Sequence, residues 1–218
     1  MGAVIGEVLP LAFGVAVSPI PIIAAILMLF SARAGSTSTG FLLGWVLGVV
    51  VATSVFTVLA GTLQTGGEPS ALASWIKIGL GVLLVLVGIR QWRGRGGHHE
   101  APKWMAAIDD FTFAKALGLG FLLSAVNPKN LIMAAGAGVI IGSTAVGVGG
   151  DVAAVAVFTV IASSTVAIPV IAHLVAAERM SGPLESARKW LQDNNAAVMA
   201  TLILVIGAVL VGKGVSGL

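Results

Sequence analysis

Cysteine is absent from this chain, which excludes disulfides, thiolate metal sites and any thiol-based electron relay. Charge is scarce as well. Charged residues make up 10% of the 218, against roughly 25% in a soluble domain, so water is not the chain's main solvent. The longest polar stretch, about residues 90–112, is too short for a soluble domain of useful size. A Walker loop, an HExxH pair and a plausibly spaced Ser/His/Asp set are all missing. Neither enzymatic activity, a cofactor nor a nucleic-acid partner is expected, and direct transport would draw on a gradient or a partner. The first residues lack a basic region ahead of the apolar run, and Glu7 comes early, so a cleavable signal is not expected.

What fills the chain is apolar: 57% of residues are hydrophobic, and the mean hydropathy is +1.05. Read against turn and charge signals, the long apolar runs predict an all-α polytopic membrane protein. Six segments emerge, at roughly 3–31, 38–62, 71–91, 112–142, 151–176 and 191–213. The first and fourth are about 30 residues, or ~45 Å as helix, against a hydrocarbon core near 30 Å. They must tilt, kink or break.

The loops after segments one, three and five, with their flanks, hold Arg33, Arg90, Arg93, Arg95, Lys103, Lys115, Arg179, Arg188 and Lys189, nine of the twelve Lys and Arg. Basic loops stay cytoplasmic, which puts both termini outside. Trp75, Trp92 and Trp190 fall where interfacial anchors belong, while Trp45 falls within a span. The expected division is a first three-helix repeat over 1–93, a cytoplasmic basic loop over 94–111 and a second repeat over 112–218.

Ordered self-similarity supports that division. Gly14 and Ser18 match Gly120 and Ser124, Ala52-Thr53-Ser54 matches Ala162-Ser163-Ser164, and Val85-Leu86-Val87-Gly88 matches Val209-Leu210-Val211-Gly212. Three spans per half is an odd number, so the second half enters from the opposite side: a 3+3 inverted repeat, a common construction in secondary transporters. The competing reading is that an Ala-, Gly- and Val-rich chain produces short matches by chance.

Segments one and four are each interrupted by prolines, in Ser18-Pro19-Ile20-Pro21 and Asn127-Pro128-Lys129-Asn130. Ser and Asn favour the N-cap, and proline favours the first helical position, where its missing N–H goes unused. Each motif therefore predicts a new half-helix starting inside the membrane. Broken helices free backbone groups that hydrocarbon cannot satisfy, so they persist where they line a cavity or a substrate site. Helix starts favour an anionic or strongly polar group. Lys129, unfavourable beside a positive helix end and costly at membrane depth, makes sense if it faces a cavity and meets an anion. The candidate substrate site is Ser18, Pro19 and Pro21 opposite Asn127, Pro128, Lys129 and Asn130. The bland alternative is that the prolines only kink helices while Lys129 snorkels to an interface.

The run Ser18-Pro19-Ile20-Pro21-Ile22-Ile23-Ala24-Ala25-Ile26-Leu27-Met28-Leu29, with Gly40-Phe41-Leu42-Leu43-Gly44-Trp45, resembles the GAP (Sap-like) family. These are the peptidoglycolipid- or sulfolipid-addressing proteins of mycobacteria and their actinobacterial relatives, within the LysE superfamily of six-span exporters. Asn127-Pro128-Lys129 is similar to the Asn-Pro motif in the second half of that superfamily. The resemblance covers essentially the whole chain. It implies an inverted 3+3 fold, a bacterial plasma membrane and the outward movement of envelope glycolipids. Redox relatives carry cysteines at the two broken helices; this chain has none. Substrate is left open by the resemblance, as is direct transport against assistance to a larger lipid transporter. The alternatives are an exporter of amino acids or cations, and an accessory subunit of such a transporter. Expected partners are membrane lipids and a lipid or small-molecule substrate, with room for a homodimer.

Glu7, Asp151 and His173 are the candidates for carrying a coupling proton. Against that, acids near span ends often mark interfaces or pair, here with Lys77 or Lys213, and His173 near Pro169 fits a hydrogen-bonded packing role. His98-His99-Glu100 lies in a glycine- and arginine-rich loop; two adjacent histidines without further ligands are weak, and no metal site is expected. Ser54, Ser163, Ser164 and Thr165 sit mid-span, where hydroxyls line a path or bridge helices.

Overall fold

The computed structural model describes residues 1–63, 71–94, 108–144 and 146–218. His98, His99 and Glu100, with most of the expected 94–111 loop, lie outside the described residues. Among those described, the chain is helical: α1 (Gly2–Ala16), α2 (Pro19–Leu29), α3 (Ala34–Leu63), α4 (Ala71–Arg93), a 3-10 turn (Ile108–Asp110), α5 (Phe113–Ala125), α6 (Pro128–Gly142) and α7 (Gly147–Val215). Four helical stretches are long and apolar enough to cross a membrane, and there are up to six spans if each bent pair counts as one. The bent pairs are α1 with α2, turning by 53°, and α5 with α6, turning by 62°. Both prolines expected to open half-helices do so.

The ends of the helices sort into two faces. At one end Glu7 pairs with Lys213 at 3.9 Å, Ser74 donates to the Gly217 carbonyl at 2.9 Å, and Gly150 lies close to Met1. At the other, Ser31 donates to the Met28 carbonyl at 2.8 Å, closing the C-terminus of α2, and Gly40 meets Phe113. Between them lies the core. Trp45 is fully buried and stacks on Phe41 with ring centroids 6.4 Å apart.

Small residues set the tightest contacts, as close helix approach in lipid requires. Gly40, Gly44 and Gly48 of α3 lie along α5 at a four-residue interval, against Phe113, Leu117 and Ser124. Gly81 of α4 and Gly207 of α7 face each other; a Cβ on either would lie 2.8–2.9 Å from the other's carbonyl oxygen.

The fifth loop is a difference from expectation. Residues 177–190 are helical, and α7 runs on across a kink whose non-helical residue is Ala176 (φ −148°, ψ 56°). The second part, Arg179–Val215, has 37 residues and is ~55 Å long. It therefore extends about 17 residues beyond a 30 Å hydrocarbon core. Leu184 and Leu191 on this extension are buried with the main core, and that burial keeps it helical where its polar composition suggested a loop.

Candidate functional site

Each break follows from local chemistry. Ser18 is extended (φ −98°, ψ 106°) and precedes Pro19 as the N-cap of α2. Asn127 holds the same place before Pro128 at the start of α6, and its Oδ1 accepts from the Lys129 N–H at 3.1 Å. As helix starts, Ser18 therefore corresponds to Asn127. Ser124, which resembles Ser18 in short sequence context, lies three residues earlier and bonds instead to the Gly120 carbonyl of its own helix.

At each break a side chain from elsewhere in the fold meets one of the freed carbonyls, as a helix end in a dry environment favours. Thr165 of α7 donates to the Ala16 carbonyl at the end of α1. The Asn130 side chain turns back and donates to the Leu123 carbonyl near the end of α5 at 2.9 Å. The N–H side is sparser. Proline at positions one and three of α2 removes two donors, and the Ile22 N–H bonds to the Ser18 carbonyl, leaving Ile20. At α6 the Lys129 and Leu131 N–H groups bond to Asn127, leaving Asn130. Two helix starts thus supply about one free donor each, fewer than the sequence suggested.

The positive character of the site comes from the amine. Lys129 Nζ donates to Ser18 Oγ at 2.6 Å and approaches Met199 Sδ at 3.7 Å; Ser18 in turn donates to Asn130 Oδ1 at 3.1 Å. Lys129 is 5% exposed, and Ser18 and Asn130 are 2% exposed. No carboxylate pairs with Lys129: the ion pairs among the described residues are Arg188–Glu185 and Lys213–Glu7. A serine oxygen and a thioether, itself a weak acceptor, are poor compensation for a buried ammonium. The snorkelling alternative does not hold, since the amine turns into the bundle.

Three of the seven candidate residues, Ser18, Lys129 and Asn130, thus form one hydrogen-bonded cluster joining the two breaks. Asn127 serves as cap, Pro19 and Pro21 are buried beside the cluster, and Pro128 is exposed on the surface of the bundle. Glu7, Asp151 and His173 make no hydrogen bond to that cluster. Glu7 takes the pairing with Lys213. Asp151 and His173 stand toward opposite ends of the first part of α7, and the buried Nδ1 of His173 has no partner among the described residues.

Sequence reasoning missed Met199 and Thr159. Thr159 carried a usable signal: Asp151, Thr159 and Ser163 are spaced by eight and four residues, one face of a helix. Asp151 Oδ1, Thr159 Oγ1, Ser163 Oγ and Thr53 Oγ1 are all buried without a partner among the described residues. Buried polar atoms are normally satisfied, so this stripe marks α7 as a polar seam. Ser164 bonds within its own helix, to the Ile161 carbonyl at 2.8 Å, so only Thr165 of the mid-span hydroxyls bridges helices through a hydrogen bond.

Compared with known proteins, the chain matches the family described as SfLAP (Sap, sulfolipid-1-addressing protein) over residues 8–216. No curated protein and no solved structure matches it.

Proposed function

The chain belongs to the Sap, sulfolipid-1-addressing protein family, and from that premise we propose that it carries a polar-headed membrane lipid outward across a bacterial plasma membrane. In this reading each bent pair is one span, giving six spans in two inverted halves of three, with both termini outside. The same arrangement fits the LysE superfamily of six-span exporters. The protein is not an enzyme; its work is drawn from an ion gradient or a partner.

One observation carries the reading: the Lys129 amine is buried where the two breaks meet, held by Ser18 of the opposite half, without a carboxylate. An ionisable amine kept at membrane depth without a counter-charge is costly and is a functional feature by default. An anionic or strongly polar headgroup reaching the cluster would supply what the amine lacks. An isolated amine repels cations, so the cluster disfavours cation export among the alternatives.

The test is purified protein in liposomes, scored for lipid movement, small-solute flux or neither. Lipid movement is expected, and Lys129→Ala should reduce it at least about tenfold, the equivalent of ~1.4 kcal/mol, with folded protein unchanged. Full activity in Lys129→Ala would remove the amine from the mechanism. Solute flux would turn the reading to an amino-acid exporter, and no flux to an accessory subunit of a larger lipid transporter.

A further inference from the structure

The second part of α7 packs on α4 through glycines. Gly81 faces Gly207, and a Cβ on Gly88 would lie 2.7 Å from Leu204 Cγ. Beyond Gly88, α4 ends in Ile89, Arg90, Gln91, Trp92 and Arg93, with no small residue on which α7 could close. A groove of about 360 Å³ remains there, lined by Ile89, Trp92 and Arg93 of α4 and by Thr201, Leu204 and Val205 of α7. Its depth in the membrane follows from α4. Ser74, near the start of that helix, bonds to Gly217 at the end of the bundle that carries Glu7 and Lys213. Arg93 stands nineteen residues further on, ~29 Å of helix, which is the thickness of a hydrocarbon core. The groove therefore lies at headgroup level on the opposite side.

Two donors face it from different helices. Arg93 is exposed and belongs to no ion pair among the described residues. Thr201 is exposed and makes no hydrogen bond among them, whereas Thr39, Thr57 and Thr62 each donate to a carbonyl of their own helix. No carboxylate lines the groove; Asp193 is eight residues from Thr201, ~12 Å along the helix. At the edge of hydrocarbon, a guanidinium and a hydroxyl without acceptors call for an anion, and the planar guanidinium engages two phosphate oxygens at once. The remaining walls are apolar, with Trp92 43% and Val205 57% exposed, and tryptophan suits the headgroup level. Each wall covers only four residues, ~6 Å, enough for the glycerol and the first methylenes of a lipid. The head therefore decides binding. An ammonium head would stand beside Arg93 and the neighbouring Arg90, both in the last turn of α4.

We propose that this groove holds an anionic phospholipid of the leaflet at the Arg93 end, its phosphate on Arg93 and Thr201 and its first methylenes against Ile89, Leu204 and Val205. It is a resident lipid and not the cargo. Met199 turns toward Lys129, and Thr201, two residues on, lies about 200° around the helix, so the body of α7 separates the groove from the Lys129 cluster. The site stands whether or not the protein carries lipid.

The probes are phosphatidylglycerol and phosphatidylethanolamine, each with a photoreactive group near the glycerol, reacted with the intact protein in phosphatidylcholine nanodiscs. Cross-links of phosphatidylglycerol should map to α4 and α7 at the groove and exceed those of phosphatidylethanolamine about fivefold, the worth of one base near a charged surface. Arg93→Gln should remove that preference, and Arg90→Gln, outside the groove, should keep it. Val205→Trp, at an exposed groove position, should abolish the cross-link, with Thr201→Trp as a second blocking variant. Equal labelling by the two lipids overturns the headgroup assignment. Equal losses in Arg93→Gln and Arg90→Gln would show a diffuse surface charge and overturn the site, as would cross-links that map elsewhere or persist in both tryptophan variants. Lys129→Ala should label the groove as the parent protein does even when transport is lost, so this inference and the carrier reading fail separately.

Discussion

At the scale of single residues, Asn130 carries more of the site than its place in the motif implies. Its amide donates to the Leu123 carbonyl and its oxygen accepts from Ser18, so one side chain closes a helix end and aligns the partner of Lys129. Asn130→Ala should leave two buried polar groups unmet, at about 1–3 kcal/mol each. Thermal unfolding in detergent is expected to fall for this variant, and an unchanged midpoint would mean that water replaces both contacts. Thr165→Val removes the donor to the Ala16 carbonyl at the other break and should cost about half as much, having one group to orphan. The caps Ser18 and Asn127 were legible because capping and proline chemistry act within three or four residues. That Lys129 would reach Ser18, 111 residues away, was legible only as an expectation that two breaks converge. Met199 had no local signal at all: a methionine in an apolar span reads as core.

At the scale of helices, the α3–α5 contact shows what the glycines do. A Cβ on Gly44 would overlap the Leu117 carbonyl oxygen and lie 2.7 Å from its carbon. Backbone cannot step aside as a flexible side chain can, so Gly44→Ala should destabilise by about 1–3 kcal/mol. Gly79, on α4, has open space where a Cβ would sit, and Gly79→Ala should stay within about 0.5 kcal/mol of the parent. Melting both variants in the same detergent tests the contact directly; equal midpoints would show that α3 and α5 pack less closely than described. The long α7 was the element least visible beforehand. Its extension is polar enough to resemble a loop, and its kink at Ala176 lies seven residues from both Pro169 and Pro183, so neither proline marks it. Tertiary burial of Leu184 and Leu191 decides the matter.

For the molecule as a whole, the proposed orientation follows from the bases, since the exposed Arg33, Arg90, Arg93, Arg179 and Lys189 belong to the end opposite Glu7 and Lys213. The cysteine-free chain makes this easy to check. Ser216→Cys should react with a membrane-impermeant maleimide on intact cells, and Lys189→Cys only after permeabilisation; the reverse pattern would invert the proposed topology and, with it, the proposed direction of carriage. Hydropathy, the two proline motifs and the clustering of bases determined by themselves that this is a helical membrane protein with two interrupted helices, because transfer to lipid, proline geometry and capping depend on nearby residues. Where the amine of Lys129 ends, which carbonyls Thr165 and Asn130 close, and that α4 and α7 leave a groove between Arg93 and Thr201 were decided only in the tertiary structure. Those features arise between helices distant in the chain, where packing of whole surfaces, and not local preference, sets which side chains meet.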